Sequence, residues 1–289
     1  MALRRTISAS CLLLSSWLAS AAPTHILDKR QAAHNNYACK STAHPNPVVL
    51  LHGLGATYYE DLNYLEAYLQ QNSFCTFSIT YGDYPEFPYV GGLKPIADSA
   101  AQLAAFIKDV HAKTGAAKVD LVGHSEGAFQ ALYVPKFEAG ISSIVDKIVA
   151  IAPPTHGTTF AGLYDLSYIG GNLTQSLVST ILSTVGCAAC NDLLPTGSAV
   201  KALDDGPIAQ PGNSITILTS KYDELVTPTT TSFVQEPGVR NLYVQDFCPQ
   251  DPVGHIGEAY DANVWALVVN TLSGSTAGPE VCVLGSPGR

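Results

Sequence analysis

The chain has 289 residues, 46% of them hydrophobic and 13% charged, with a formal net charge of −9. That composition excludes a disordered chain and supplies apolar surface for one large core or two smaller ones. The acidity argues against nucleic acid or an anionic membrane as the main partner, since both repel a negative protein at long range, so a neutral substrate fits better.

The first residues read as a targeting segment. MALRRTISASCLLLSSWLASAA has a basic start, a short apolar run and the small-residue pattern Ala19-Ser20-Ala21, which predicts a secretory signal peptide over residues 1–21. The Lys29-Arg30 pair marks a candidate processing site, making 22–30 a candidate propeptide and starting the mature chain near Gln31; an ordinary exposed charge pair is the alternative. Losing residues 1–30 removes four basic residues and one acidic residue, so the remainder is more acidic still. No later stretch has about 18 consecutive apolar residues, which predicts a secreted, extracellular chain without a transmembrane segment.

The wholly apolar run VVLL over residues 48–51 predicts a strand buried on both faces. A helix follows over 61–71, where Leu62, Leu65, Tyr68 and Leu69 share a face, and a second strand over 75–81. Apolar positions Ile96, Ala100, Leu103, Ile107 and Val110 keep helical spacing between 94 and 113. Further strands are expected over 118–122, 148–152, 215–219 and 242–244, with helices over 128–137 and 260–272. Strands alternating with helices predict an α/β fold, a mostly parallel sheet covered on both faces. With no internal repeat and no low-complexity linker, residues 31–289 read as a single domain.

The interval of about 156–206 breaks the alternation. In it Leu173, Leu177, Val178, Ile181, Leu182 and Val185 fall on one helical face, as in a lid or cap inserted above a sheet; an ordinary core helix would carry the same stripe. Asn172-Leu173-Thr174 is an N-glycosylation acceptor sequence.

The chemistry concentrates at LVGHSEGAFQ, residues 121–130. A strand running into GxSxG and then a helix forces the central residue into an exposed, strained turn, which makes Ser125 a candidate nucleophile rather than a plain turn serine. A hydroxyl attacks a carbonyl only when a base takes its proton and a third group fixes that base's tautomer. With such a turn, the chain order is serine, carboxylate, histidine. Asp223, in the loop after the strand SITILTS, is the candidate carboxylate, with Glu224 as its rival. His255, in the loop before the last helix, is the histidine that satisfies the order, with His156 as the leading rival. HGLG over 52–55 directly follows the first strand, and the N–H groups of Leu54 and Glu126 are the expected oxyanion donors.

Of seven cysteines Cys11 leaves with the signal, and Cys39, Cys75, Cys187, Cys190, Cys248 and Cys282 remain. An even count in an exported chain predicts three disulfides, with 15 connectivities open. The CAAC spacing at Cys187 and Cys190 fits metal or redox chemistry less well, because no second CxxC and no nearby histidine accompany it. No metal or organic cofactor is called for.

Taken together, PVVLLHGLGATYYED, AAKVDLVGHSEGA, IAPPTHGTTFAGL, SKYDELVTP and DFCPQDPVGHIGEAYD, in that order, resemble the class 2 lipase family of secreted α/β-hydrolases, across about 47–272. The resemblance implies an α/β-hydrolase fold and an extracellular lipase or esterase. It implies Ser125, Asp223 and His255 as the triad and Leu54 and Glu126 as oxyanion donors. It also suggests the pairs Cys39 with Cys75, Cys187 with Cys190, and Cys248 with Cys282. The chain departs from the family at Glu126, where a neutral Gln or Met is more usual, and in the IGEA that follows His255. A carboxylate there opposes a forming oxyanion unless it points away or is paired.

The expected activity is therefore hydrolysis of a lipid or other neutral ester, with transient contact at a lipid interface. A simple carboxylester or a polyester such as cutin is the alternative substrate. A non-catalytic binding protein on the same scaffold is the alternative of another class, and acyl transfer to alcohols a lesser one.

Overall fold

The computed structural model describes residues 34–159, 184 and 186–288. The expected signal segment, the candidate propeptide, Asn172 and the apolar stripe from Leu173 to Val185 lie outside the described residues. The chain divides into residues 1–32 and residues 33–289, and all the elements below belong to the second unit.

Among the described residues, six strands form one parallel sheet in the order β2-β1-β3-β4-β5-β6. In chain order the strands are β1 Val48–Leu51, β2 Thr76–Ser78, β3 Val119–His124, β4 Val145–Ile151, β5 Ser214–Thr219 and β6 Arg240–Tyr243. The helices are α1 Asn63–Gln71, α2 Ile96–Thr114, α3 Glu126–Phe137, α4 Ile141–Ile144, α5 Ala188–Asp192, α6 Ser198–Asp204, α7 His255–Glu258 and α8 Ala262–Leu272. None is long and apolar enough to cross a membrane.

Period-two alternation explains why β1 has no polar position. Val49 and Leu51 enter one apolar cluster, with residues of α2, α3, α5 and α6. Val48 and Leu50 enter the other, with residues of α1 and α8. Each such side chain, fully buried, contributes roughly 1.5–3 kcal/mol of transfer free energy, so both faces of this strand are covered.

The elements end where side chains are recruited for other work. The helix expected from residue 61 starts at Asn63, because Asp61 adopts a left-handed φ of 70° and turns its carboxylate back toward Gly53 and His124. The strand expected over 75–81 stops at Ser78, and the chain then peels away so that Tyr81 supports His52 with its hydroxyl and its amide. In contrast, β3 runs on to His124, which pairs with Ile151 of β4. The closing helix begins at Ala262, capped by the Asp261 carboxylate on the amides of Asn263 and Val264.

The sheet order reverses direction between β1 and β3, since the chain steps outward to β2 before returning. In open parallel sheets this is where a crevice forms at the carboxyl ends of the strands. The loops after β1, β3, β4, β5 and β6 all empty there.

Candidate active site

Ser125 links the end of β3 to the start of α3 with φ 55° and ψ −121°. Non-glycine residues rarely adopt that conformation, and it is retained only where the surroundings over-determine it. Here the surroundings are three backbones in close approach. A Cβ on Gly123 would lie 2.2 Å from the Gly127 carbonyl oxygen, and one on Gly127 would lie 2.0 Å from that of Leu51. The two glycines let α3 start immediately against β3 and β1, and the Ser125 amide donates to the Ile151 carbonyl at 2.8 Å.

His255, at the start of α7, places Nε2 2.9 Å from Ser125 Oγ and Nδ1 2.8 Å from Asp223 Oδ2. The other Asp223 oxygen accepts the amides of Leu225 and Val226 at 2.8 and 2.9 Å, so the loop after β5 fixes the carboxylate by its own backbone. Burial pushes the Asp223 carboxyl up, but His255 and these amides outweigh it and hold it below the ordinary range. An ionised carboxylate on Nδ1 leaves the proton on that nitrogen and the lone pair of Nε2 facing Ser125. The three residues named from sequence thus meet in one line.

The rivals are placed elsewhere. Glu224 accepts the main-chain amide of His255 at 3.1 Å and does not pair with the ring. His156 pairs with Asp204 at 2.7 Å and with the Phe233 carbonyl at 3.0 Å.

The turn after β1 carries Leu54. Gly55 donates to the Gly91 carbonyl at 3.0 Å and Gly91 returns a bond to Ala56 at 2.8 Å, which locks the turn against residues 91–92. His52 stacks on Tyr81 beneath it; its Nε2 accepts the Tyr81 amide and its Nδ1–H therefore donates to the Gly53 carbonyl. Among the described residues the N–H groups of Leu54 and Glu126 have no protein acceptor. Both residues adjoin Ser125's turn or line the same cavity.

Glu126 departs from what a family-like pattern leads one to expect, and its side chain resolves the conflict. It is 0% exposed, its two oxygens have no hydrogen-bond partner among the described residues, and its carboxyl lies against Gly92. Burial, with the charge of Asp192 added, pushes it well above the ordinary carboxylate range. Burial thus disfavours the charged form of this carboxyl, which otherwise would set a negative charge beside the two amides. Glu258, at the end of α7, is likewise fully buried and pushed well up by burial and by Asp223 beside it.

A cavity of about 240 Å³ opens over Ser125. Leu54, Pro154, Leu193, Leu225, Val226 and Ile256 give it apolar walls, and Ser125, Asp61 and the two histidines His124 and His255 also line it. Leu193 comes from the interval expected to form a cap, of which α5 and α6 are the described helices.

His124, His255 and Glu258 offer ligand atoms within 4.8 Å of one another. All four ring nitrogens are already engaged, with Asp61, the His255 carbonyl, Asp223 and Ser125, so a metal ion there would have to displace these bonds.

Asp61, Tyr81 and Glu258 were not legible as site residues. Asp61 and Tyr81 reach the site by chain reversal and Glu258 lies one helical turn beyond His255; no spacing relative to the GxSxG turn marks any of them. His124 was visible only as a neighbour of the motif.

The six cysteines form Cys39–Cys75, Cys187–Cys190 and Cys248–Cys282.

Comparison with known proteins agrees with this architecture. The family model described as Lipase (class 2) matches residues 45–256. A triacylglycerol lipase of Pseudomonas fragi is 25% identical over 142 residues, 48% of this chain and 44% of the relative. The chain thus spans less than half the length of the curated relatives it matches. Among solved structures, Aspergillus fumigatus lipase B superposes with TM-score 0.61 at 19% identity, covering 82% of this chain and 53% of that one. The 2-hydroxy-6-oxo-6-phenylhexa-2,4-dienoate hydrolase of Rhodococcus sp. strain RHA1 follows with TM-score 0.54 at 13% identity, covering 79% and 91%. These likenesses are of fold, the α/β-hydrolase arrangement.

Proposed function

The chain belongs to the class 2 lipase family, and from that premise we propose that it is a secreted serine hydrolase of carboxylic esters with lipid-like acyl groups. The observation that carries this reading is the unbroken line from Ser125 Oγ through His255 to Asp223, with contacts of 2.9 and 2.8 Å.

Ser125 Oγ attacks the ester carbonyl carbon while its proton passes to Nε2 of His255, and Asp223 stabilises the imidazolium that forms. The carbonyl oxygen, now negative, lies between the amides of Leu54 and Glu126; a preorganised donor of this kind is worth roughly 3 kcal/mol in the transition state. Collapse of the tetrahedral species breaks the bond to the alcohol oxygen, which takes the proton from His255. Water then attacks the acyl-serine, gives a proton to His255, and releases the acid as Ser125 recovers its own.

The apolar walls of the cavity favour a greasy acyl group and a neutral ester. Three disulfides fit an oxidising, extracellular setting. Contact with a lipid surface is transient in this reading.

Hydrolysis of a short-chain nitrophenyl ester by the wild type and by Ser125→Ala tests the mechanism; equal turnover by the two proteins would remove it. A chain-length series with and without an oil interface then separates lipase from esterase, and a polyester film in the same panel tests the remaining substrate class. A fluorophosphonate that fails to label Ser125 in the wild type would support a non-catalytic scaffold.

A further inference from the structure

Both ring nitrogens of His124 face oxygen atoms. Nδ1 lies 2.8 Å from Asp61 Oδ1, and Nε2 lies 3.0 Å from the main-chain oxygen of His255. A carbonyl oxygen only accepts, so Nε2 carries a proton. On the other side, Asp61 already accepts the Gly53 amide on Oδ2 at 2.6 Å, while its own amide is held by the Tyr260 hydroxyl at 3.0 Å. A carboxylate so placed accepts from Nδ1 as well, and the ring is then an imidazolium.

The ring is 2% exposed, so the charge is not shared with solvent. Burial by itself pushes His124 down and Asp61 up, but their mutual attraction and hydrogen bond outweigh it, leaving His124 above and Asp61 below their ordinary values. The other titratable groups facing the ring are Asp223 from the loop after β5, and His255, whose ring centroid is 5.0 Å away, with Glu258, both from α7.

A buried ion pair adds little net stability, because desolvation offsets most of the attraction. What this one supplies is connection. His255 opens α7 and Gly53 lies in the turn after β1; their nearest covalent link runs through most of the chain. The His124–Asp61 pair joins them across one ring and one carboxylate. Gly53 immediately precedes Leu54, and a Cβ on Gly53 would lie 3.3 Å from the Ser125 Cβ, so a small displacement of this turn moves the oxyanion donor relative to the nucleophile.

We propose that His124, as an imidazolium, is a positioning residue for ester hydrolysis: it ties the main chain of the base His255 to Asp61 and, through Asp61, to the oxyanion turn at Gly53, holding base and oxyanion donors in one register. This rests on the hydrolase reading of the site.

Two measurements test it. Nitrogen-15 histidine NMR of the intact protein near neutral pH, at about pH 7 where an unperturbed ring is mostly neutral, should show both His124 ring nitrogens protonated; a single N–H would overturn the inference. Separately, His124→Gln and Asp61→Asn should each lower kcat toward a soluble nitrophenyl ester by about 10²-fold, the scale of a small misplacement at a reacting centre. KM should stay within about 2-fold, since the apolar walls that Leu54, Pro154, Leu193, Leu225, Val226 and Ile256 give the cavity keep their side chains, and fluorophosphonate labelling of Ser125 should slow in parallel. Variants that melt cooperatively yet keep wild-type kcat, or lose only KM, would overturn the positioning role; if neither variant folds, the NMR result on the wild type decides. A wild type that neither hydrolyses esters nor labels at Ser125 would instead sink the hydrolase reading, while the protonation of the His124 ring would remain measurable.

Discussion

The carboxyl of Glu126 is packed against Gly92: a Cβ on Gly92 would lie 2.5 Å from Oε2 and 3.2 Å from the Leu54 Cα. Gly92 also has φ +71°, so the position combines a close approach with a backbone conformation that side chains resist. Gly92→Ala is expected to destabilise the protein by about 1–3 kcal/mol. Adding Glu126→Ala removes the contact but not the backbone strain, so the double variant recovers part of the loss. Denaturant unfolding of the two single variants and the double variant measures this; a strictly additive cycle would show that the two positions do not touch.

Glu126 and Glu258 make the folded state lose stability as the pH rises above the ordinary carboxylate range. Each carboxyl is raised by burial well above its ordinary value of 4.5. The unfolded chain releases these protons near 4.5 while the folded protein keeps them, so stability is full below that pH and falls as pH rises toward the folded values. Each group contributes a slope of roughly 1 kcal/mol per pH unit across that window. Glu126→Gln, and likewise Glu258→Gln, should flatten the decline of the melting temperature as the pH rises above about 4.5. An unchanged slope in both variants would mean that the carboxyls ionise freely in the folded protein.

Asp223→Asn should disable the base without unfolding the loop. Its oxygen must still accept the Leu225 and Val226 amides, which turns the new amide group toward His255. Nδ1 then has to accept, and Nε2 presents a proton, instead of a lone pair, to Ser125. A loss of kcat of about 10⁴-fold is expected from this tautomer reversal. Retention of more than a tenth of the activity would show that another group, Glu224 foremost, can orient the ring.

The disulfides should rank by the chain they close. Cys39–Cys75 and Cys248–Cys282 span 36 and 34 residues, whereas Cys187–Cys190 spans 3. Replacing both cysteines of either long bridge by alanine is expected to cost about 2–4 kcal/mol, and the short bridge less. Calorimetry on the three double variants gives the order, and the reverse order would point to local strain instead of chain entropy as the governing term.

Most of the fold was legible because its signals are local. The VVLL run, the GxSxG turn with its flanking strand and helix, and the helical spacing from Ile96 to Val110 each depend on residues a few positions apart. The line of Ser125, His255 and Asp223 was legible for a different reason: a strained serine proposed as a nucleophile requires a base and an orienter, and chain order left few residues to fill those proposed roles. Element ends were less so. Strand β2 stops at Ser78 because Tyr81 is drawn to His52, and α1 starts late because Asp61 is drawn to Gly53 and His124; these partners lie 29, 8 and 63 residues away, beyond the reach of local periodicity.

The sequence by itself determined the alternating architecture, the nucleophile turn and the residues able to complete it, since periodicity and glycine placement act over a few residues at a time. Only the tertiary structure decided the electrostatic setting of the site. Glu126 is written as an acid yet is enclosed where burial disfavours its charge, and His124 is written as a neighbour of the serine yet is enclosed between two acceptors. Charge state follows from solvent exclusion and from which atoms face one another, and both are properties of the packed chain.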